Sequence, residues 1–244
     1  MSTTQTSSRS GRWPWARRLL IAYLVVLHLA IAIMLARVGL PMPVRIQLGL
    51  KPANTPSHQA MLFFQKSIDA QLPEGSTVFL GDSITQGLAN MAVVPLSANY
   101  GISGQTTAQL LGALGNYGSL PRVKAIVLTI GINDFLRHEE VGIEQRLTQI
   151  VQALPPHVPL LWNAIMPVAP GLVDATALAR TNLSIQGLCA QRPRCTYLDS
   201  WPVMSDGQGG IQPTYYIPDG VHLSAQGYLA WIKAMKHALT SAAH

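Results

Sequence analysis

Thr77-Val78-Phe79-Leu80-Gly81-Asp82-Ser83-Ile84-Thr85-Gln86-Gly87 is the stretch that decides how this chain folds. Its first four residues form a continuous run without polar alternation, the pattern of a short strand buried on both faces of a sheet. Gly81 permits a tight exit. Ser83 then falls at the carboxyl end of the strand, where open α/β sheets place their ligand sites. Taken alone, Asp82 and Ser83 are equally ordinary as capping residues at a strand-to-helix junction.

Working outward, Ala125-Ile126-Val127-Leu128-Thr129-Ile130 and Leu160-Leu161-Trp162-Asn163-Ala164-Ile165 read as two more buried strands, with weaker ones near 97–99 and 196–198. Helical periodicity separates them. Leu110, Leu111 and Leu114 mark one amphipathic helix, and Ile143, Leu147, Ile150, Val151 and Leu154 mark another. A last helix is expected to start at Ser224 as N-cap and to bury Tyr228, Trp231, Met235 and Leu239. Strands alternating with helices require right-handed crossovers, hence a parallel sheet covered on both faces.

Three further segments lie where that sheet would end. Asn99-Tyr100-Gly101-Ile102-Ser103-Gly104-Gln105-Thr106 offers glycines whose N–H groups can be presented bare, Gly131-Ile132-Asn133-Asp134 offers a side-chain amide, and Asp219-Gly220-Val221-His222 precedes the last helix. These four blocks, in this order, resemble the SGNH or GDSL esterase and lipase family over roughly residues 75–242; the one departure is Ile84 where the eponymous motif has leucine. The resemblance implies a flavodoxin-like, three-layer α/β/α sandwich with about five parallel strands. It also implies Ser83 as nucleophile, Asp219 and His222 as its partners, and an oxyanion hole made of the Ser83 and Gly104 N–H groups with the Asn133 amide. No metal or organic cofactor is implied.

The chemistry agrees with that transfer. A serine hydroxyl needs a base titrating near neutrality, which imidazole supplies. A carboxylate three residues before the imidazole can fix its tautomer across a turn, which Pro218 and Gly220 allow. Asp82 and Asp134 are read as ligands of loop backbone rather than proton carriers. His58, His138, His157, His237 and His244 belong to no motif and are read as surface or packing residues. His138-Glu139-Glu140 is too short for a metal site. Trp201, Tyr215 and Tyr216 either line the acyl or sugar pocket or pack a loop.

The formal charge of +6 suggests a polyanion binder only until it is located. Arg9, Arg12, Arg17, Arg18, Arg37, Arg45 and Lys51 all precede the first acidic residue, Asp69, and the remainder is close to neutral. A nucleic-acid partner is therefore not expected. Those charges flank an apolar run at 19–36, just long enough to cross a bilayer. Four arginines precede it and one follows directly, placing the N-terminus inside and the remainder outside. A cleaved secretory signal is the competing reading, although the run is long for a signal core and Met34 and Ala36 make a poor cleavage site.

The expected organisation is thus a basic N-terminus at 1–18, a transmembrane anchor at 19–36, a proline-containing linker at 37–56 and a hydrolase domain at 57–244. Cys189 and Cys195 suit a short disulfide in an exported protein, with two free thiols as the alternative. The function expected is cleavage of carboxylic (acyl) esters through an acyl-serine intermediate, on the periplasmic face of an inner membrane. The topology favours O-deacetylation of an envelope or exopolysaccharide. Lysophospholipid hydrolysis and acyl transfer compete within the class, and a catalytically silent glycan-binding module stands outside it. Acyl length, alcohol and oligomeric state stay open.

Overall fold

The structure is a computed structural model that describes residues 14–38, 54–207 and 210–241. The chain divides after Pro52 into two compact units. The first contains helix α1 (Pro14–Val38), 25 residues long. Its 18-residue window Arg17–Met34 has a mean hydropathy of 1.9 and none of it is buried. A helix apolar on every side has no aqueous face to present, so this one is long and apolar enough to be a membrane span, a property that signal sequences share. His28, its single imidazole, turns Nδ1 back onto the Leu24 carbonyl at 2.6 Å. Of the N-terminal segment expected at 1–18, residues 1–13 lie outside the described residues, as does most of the linker expected at 37–56.

The second unit opens with α2 (Pro56–Ala70), started by Pro56 in the first turn and by Thr55 as N-cap, whose hydroxyl oxygen accepts the His58 N–H at 3.1 Å. Its inward face is polar, carrying His58, Gln65 and Asp69. Five strands follow: β1 (Thr77–Gly81), β2 (Ser97–Gly101), β3 (Ala125–Thr129), β4 (Leu160–Asn163) and β5 (Cys195–Leu198). All pair in parallel, in the order β2-β1-β3-β4-β5. Since β1 connects to one side and β3 lies on the other, the strand order reverses between β1 and β3. Loops leaving the carboxyl ends there diverge and open a crevice.

The intervening helices are α3 (Ser83–Gln86), α4 (Asn90–Val93), α5 (Thr107–Ala113), α6 (Ile132–Leu136), α7 (Ile143–Ala153), α8 (Ala175–Gln191), α9 (Trp201–Met204) and α10 (Ala225–Ser241). Helices α5, α7 and α8 pack successively on one another, whereas α10 packs on α4 and α9. This is the expected three-layer α/β/α sandwich. Phe79, Leu80, Ile126, Leu128 and Trp162 are buried from the strands and Trp231 from α10, forming one core. Ser224 caps α10 as expected, its Oγ accepting the Gly227 N–H at 3.2 Å. The buried stripe of α10 is Trp231, Ile232, Met235 and Ala238, so Tyr228 and Leu239 are only half-buried. Cys189 at the end of α8 and Cys195 at the start of β5 are joined by a disulfide.

Candidate active site

The strand β1 ends against a wall of backbone. A Cβ on Gly81 would meet Thr85 Oγ1 at 2.1 Å and the Thr129 carbonyl at 2.3 Å, and one on Gly101 would meet the Gln86 amide nitrogen at 2.3 Å. Neither glycine has a positive φ. Their requirement is space, which lets the turns after β1 and β2 close on each other. Asp82 caps α3, accepting the Ile84 N–H on Oδ1 at 3.0 Å, and so sets Ser83 in the first helical position.

Ser83 faces a loop that comes from the other end of the domain. The His222 imidazole spans two partners, with Nε2 at 2.8 Å from Ser83 Oγ and Nδ1 at 2.6 Å from Asp219 Oδ2. Asp219 Oδ1 accepts the N–H groups of Val221 and His222 at 2.9 Å each, which folds the i to i+3 turn that brings its carboxylate under the ring. Residual burial would raise the Asp219 pKa, but those two N–H groups and the imidazole outweigh it and hold the carboxyl below its ordinary value. The His222 and Asp219 side chains are 41% and 43% exposed, so the line of three opens to solvent.

The loop is held by its neighbours. Gly220 has φ +70° and its carbonyl accepts the Ala169 N–H at 2.8 Å, while the Tyr216 hydroxyl donates to the Pro167 carbonyl at 2.7 Å. Ser224 donates its hydroxyl to the Thr214 carbonyl at 2.6 Å. On the other side, Tyr228 donates to the Ile84 carbonyl at 3.0 Å.

The three donors expected from the sequence each keep a hydrogen uncommitted among the described residues. The N–H groups of Ser83 and Gly104 make no hydrogen bond among the described residues. Asn133 spends one amide hydrogen on the Gln105 carbonyl at 3.1 Å, leaving the second unspent. Gly104 needs φ +71°, a conformation glycine adopts without strain. The Gly104 and Asn133 segments are locked together by Asp134, which accepts the Thr107 N–H at 2.9 Å and the Thr107 hydroxyl at 2.5 Å and pairs with Arg146 at 3.1 Å. Burial raises the Asp134 pKa against the pull of Thr107 and Arg146. Asn99 ties the turn after β1 to β2, donating to the Thr85 and Leu88 carbonyls at 2.6 and 3.1 Å.

Asp82 is fully enclosed beneath this arrangement. Burial pushes its pKa up to about 7, against the Ile84 N–H and the His222 ring, with Asp134 adding to the rise. Neither aspartate hydrogen-bonds His222, as the reading of both as loop ligands requires. Of the three aromatic residues named from sequence, Tyr216 is buried, and Trp201 donates Nε1 to the Ile165 carbonyl at 2.8 Å. Tyr215 lines an apolar groove with Leu198, Val203 and Leu229 that contains neither Ser83 nor His222. The structure brings none of these three into hydrogen-bond contact with Ser83, His222 or Asp219. Arg146, Thr107, Asn99 and Tyr228 do support the site. Of these, Asn99 stands in a motif block, whereas Arg146 carries no sequence signal for its reach to Asp134.

A serine at a strand-to-helix turn, in line with an imidazole and a carboxylate at the switch point of a flavodoxin-like sheet, defines a hydrolase-type α/β protein. The chain belongs to the GDSL-like lipase/acylhydrolase family, whose model matches residues 79–230, more than half of its length. It is similar to a protein from Streptococcus pneumonia described provisionally as a platelet activating factor, with 23% identity and TM-score 0.69, covering 75% of this chain and 92% of that one. A GDSL-like lipase from Bacteroides thetaiotaomicron matches with 20% identity and TM-score 0.58 over 74% and 98% of the two chains. An acetylxylan esterase from Geobacillus stearothermophilus matches with 18% identity and TM-score 0.56 over 69% and 95%. No curated protein matches at a significant level. At these identities the structural neighbours establish the fold.

Proposed function

We propose that this protein is a serine esterase that removes O-acetyl groups from an envelope or secreted polysaccharide, with Ser83 as nucleophile. The observation that carries the reading is the imidazole of His222 held at 2.8 Å from Ser83 Oγ and 2.6 Å from Asp219. His222 takes the Ser83 proton as Oγ attacks the ester carbonyl, and Asp219 keeps the ring in the tautomer that can do so. The charge that develops on the carbonyl oxygen falls to the Ser83 and Gly104 N–H groups and the free hydrogen of Asn133. Collapse breaks the carbon–oxygen bond to the alcohol, which leaves with the proton from His222. Water, deprotonated by the same imidazole, then attacks acyl-Ser83 and releases the carboxylic acid.

The substrate class rests on other supports. The apolar α1 is read as a retained anchor, inside to outside, which puts the domain on the periplasmic side of the inner membrane beside envelope glycans. A neighbour of the same fold acts on acetylxylan. The exposed His222 and Asp219 suit a bulky, solvated alcohol better than a long acyl chain, which needs an apolar tunnel. The test is acetate release from acetylated glycans by wild type and Ser83→Ala, with a fluorophosphonate probe. Ser83→Ala is expected to lose both the covalent label and turnover of 4-nitrophenyl acetate; undiminished turnover sinks the reading. Acetate appearing on an acceptor sugar instead of in solution identifies a transferase.

A further inference from the structure

Arg137 follows α6 directly, four residues after Asn133, and its backbone N–H donates to the Asn133 carbonyl at 3.1 Å. Its side chain turns towards the oxyanion glycine. A Cβ placed on Gly104 would lie 2.5 Å from Arg137 Nη2, so the guanidinium sits against the bare face of that residue. Among the described residues this guanidinium makes no side-chain hydrogen bond and no ion pair, in contrast to Arg146, whose Nε, Nη1 and Nη2 all donate.

The surroundings of Arg137 are polar and unspent. His58, 3% exposed, has no partner for either ring nitrogen, and burial first and Arg137 second lower its pKa, so it stays neutral beside the guanidinium. Gln105, next in the chain to Gly104 and fully buried, has no partner for either amide atom. The counter-charge in electrostatic range is Glu139, whose pKa burial raises while Arg137 lowers it; it does not hydrogen-bond the guanidinium. Arg146 is committed to Asp134.

We propose that Arg137 is a specificity-determining residue that binds a carboxylate on the substrate, carried by a uronic-acid unit adjoining the acetylated sugar. The proposal rests on the glycan deacetylase reading and narrows it to acidic polysaccharides. A planar guanidinium matches a carboxylate through two parallel N–H donors. One guanidinium matches a single negative charge; Glu139, which does not hydrogen-bond it, repels any added anion, and repels a phosphate dianion about twice as strongly as a carboxylate, with only a neutral imidazole to offset it. Because Nη2 abuts the Gly104 oxyanion donor, a carboxylate held there lies within one sugar unit of the ester carbonyl.

The experiment measures kcat and KM of the full-length protein, wild type, Arg137→Gln and Arg137→Lys, on O-acetylated polygalacturonate and acetylated xylan. A second pair, 4-nitrophenyl hemisuccinate and 4-nitrophenyl acetate, reports a carboxylate carried on the acyl side. Wild type is expected to prefer the acetylated polyuronate, and Arg137→Gln to shrink the polyuronate-to-xylan ratio of kcat/KM at least about tenfold, chiefly through KM, with Arg137→Lys intermediate. Equal wild-type rates on the two glycans, or a parallel fall on both in Arg137→Gln, overturn the proposal. If 4-nitrophenyl acetate is turned over but neither glycan is, the deacetylase reading fails. An Arg137-dependent preference for the hemisuccinate then moves the carboxylate to the acyl group and overturns the uronate assignment.

Discussion

The hydroxyl of Tyr228 donates to the carbonyl of Ile84 at 3.0 Å, joining the last helix of the domain to the turn that carries Ser83. The close approach of Gly87, whose added Cβ would lie 2.3 Å from that hydroxyl, makes room for it. His222 lies six residues before Tyr228 on the same chain segment. That hydrogen bond therefore helps to hold the nucleophile's turn against the segment that bears the base. Tyr228→Phe removes the bond and leaves the ring packing. The expected result is a fall in kcat of roughly tenfold with KM little changed, and a stability loss of about 1 kcal/mol. Steady-state kinetics on 4-nitrophenyl acetate with urea unfolding checks both; an unchanged kcat removes Tyr228 from the positioning role.

The sheet was legible because its strands are apolar on both faces. β1, β3 and β4 are fully buried in the structure, and their continuous apolar runs are of strand length, too short for a core helix. Ser83 and His222 were legible from motif blocks, and the fold adds the distance between them. Helix α2 was not legible, since its pattern is inverted: His58, Gln65 and Asp69 face inward while Phe63, Phe64 and Ile68 are exposed. Periodicity of apolar residues finds only helices held by apolar contacts. Much the same holds for α8, which buries Thr181 and Asn182 beside Leu178 and Ile185, with Asn182 bridging the Ile165 N–H and carbonyl.

Asp69 shows what holds such a helix. Its carboxylate accepts the Tyr100 hydroxyl at 3.2 Å, the Ser119 N–H at 3.0 Å and the Ser119 hydroxyl, joining α2 to β2 and to the loop before β3. Asp69→Ala strands three buried donors and is expected to cost on the order of 3 kcal/mol. The urea midpoint measures it, and a cost within experimental error of zero refutes the network's role.

Asn133 gives one amide hydrogen to the Gln105 carbonyl and keeps the other uncommitted among the described residues. In the proposed mechanism the second hydrogen meets the oxyanion, which exists only after attack. Asn133→Ala should therefore lower kcat by ~10²–10³ with a much smaller change in KM. A matching rise in KM with kcat preserved assigns Asn133 to ground-state binding instead. Circular dichroism and the melting temperature separate either result from unfolding.

Asp82 predicts a pH dependence of stability whose sign follows from its burial. The native pKa, about 7, lies above the ordinary 3.8, so the folded state holds the proton more tightly than the unfolded chain. Its contribution is fully present below pH ~4, declines as pH rises towards ~7 and levels off above, a total on the order of a few kcal/mol. Asp82→Asn keeps an oxygen acceptor for the Ile84 N–H and removes the titration. Urea midpoints measured at pH 5 and pH 8 should fall less in Asp82→Asn than in wild type, the variant being the more stable at pH 8. Parallel declines would mean that Asp82 ionises in the fold as readily as in the open chain, and that burial beneath Ser83 does not govern its charge.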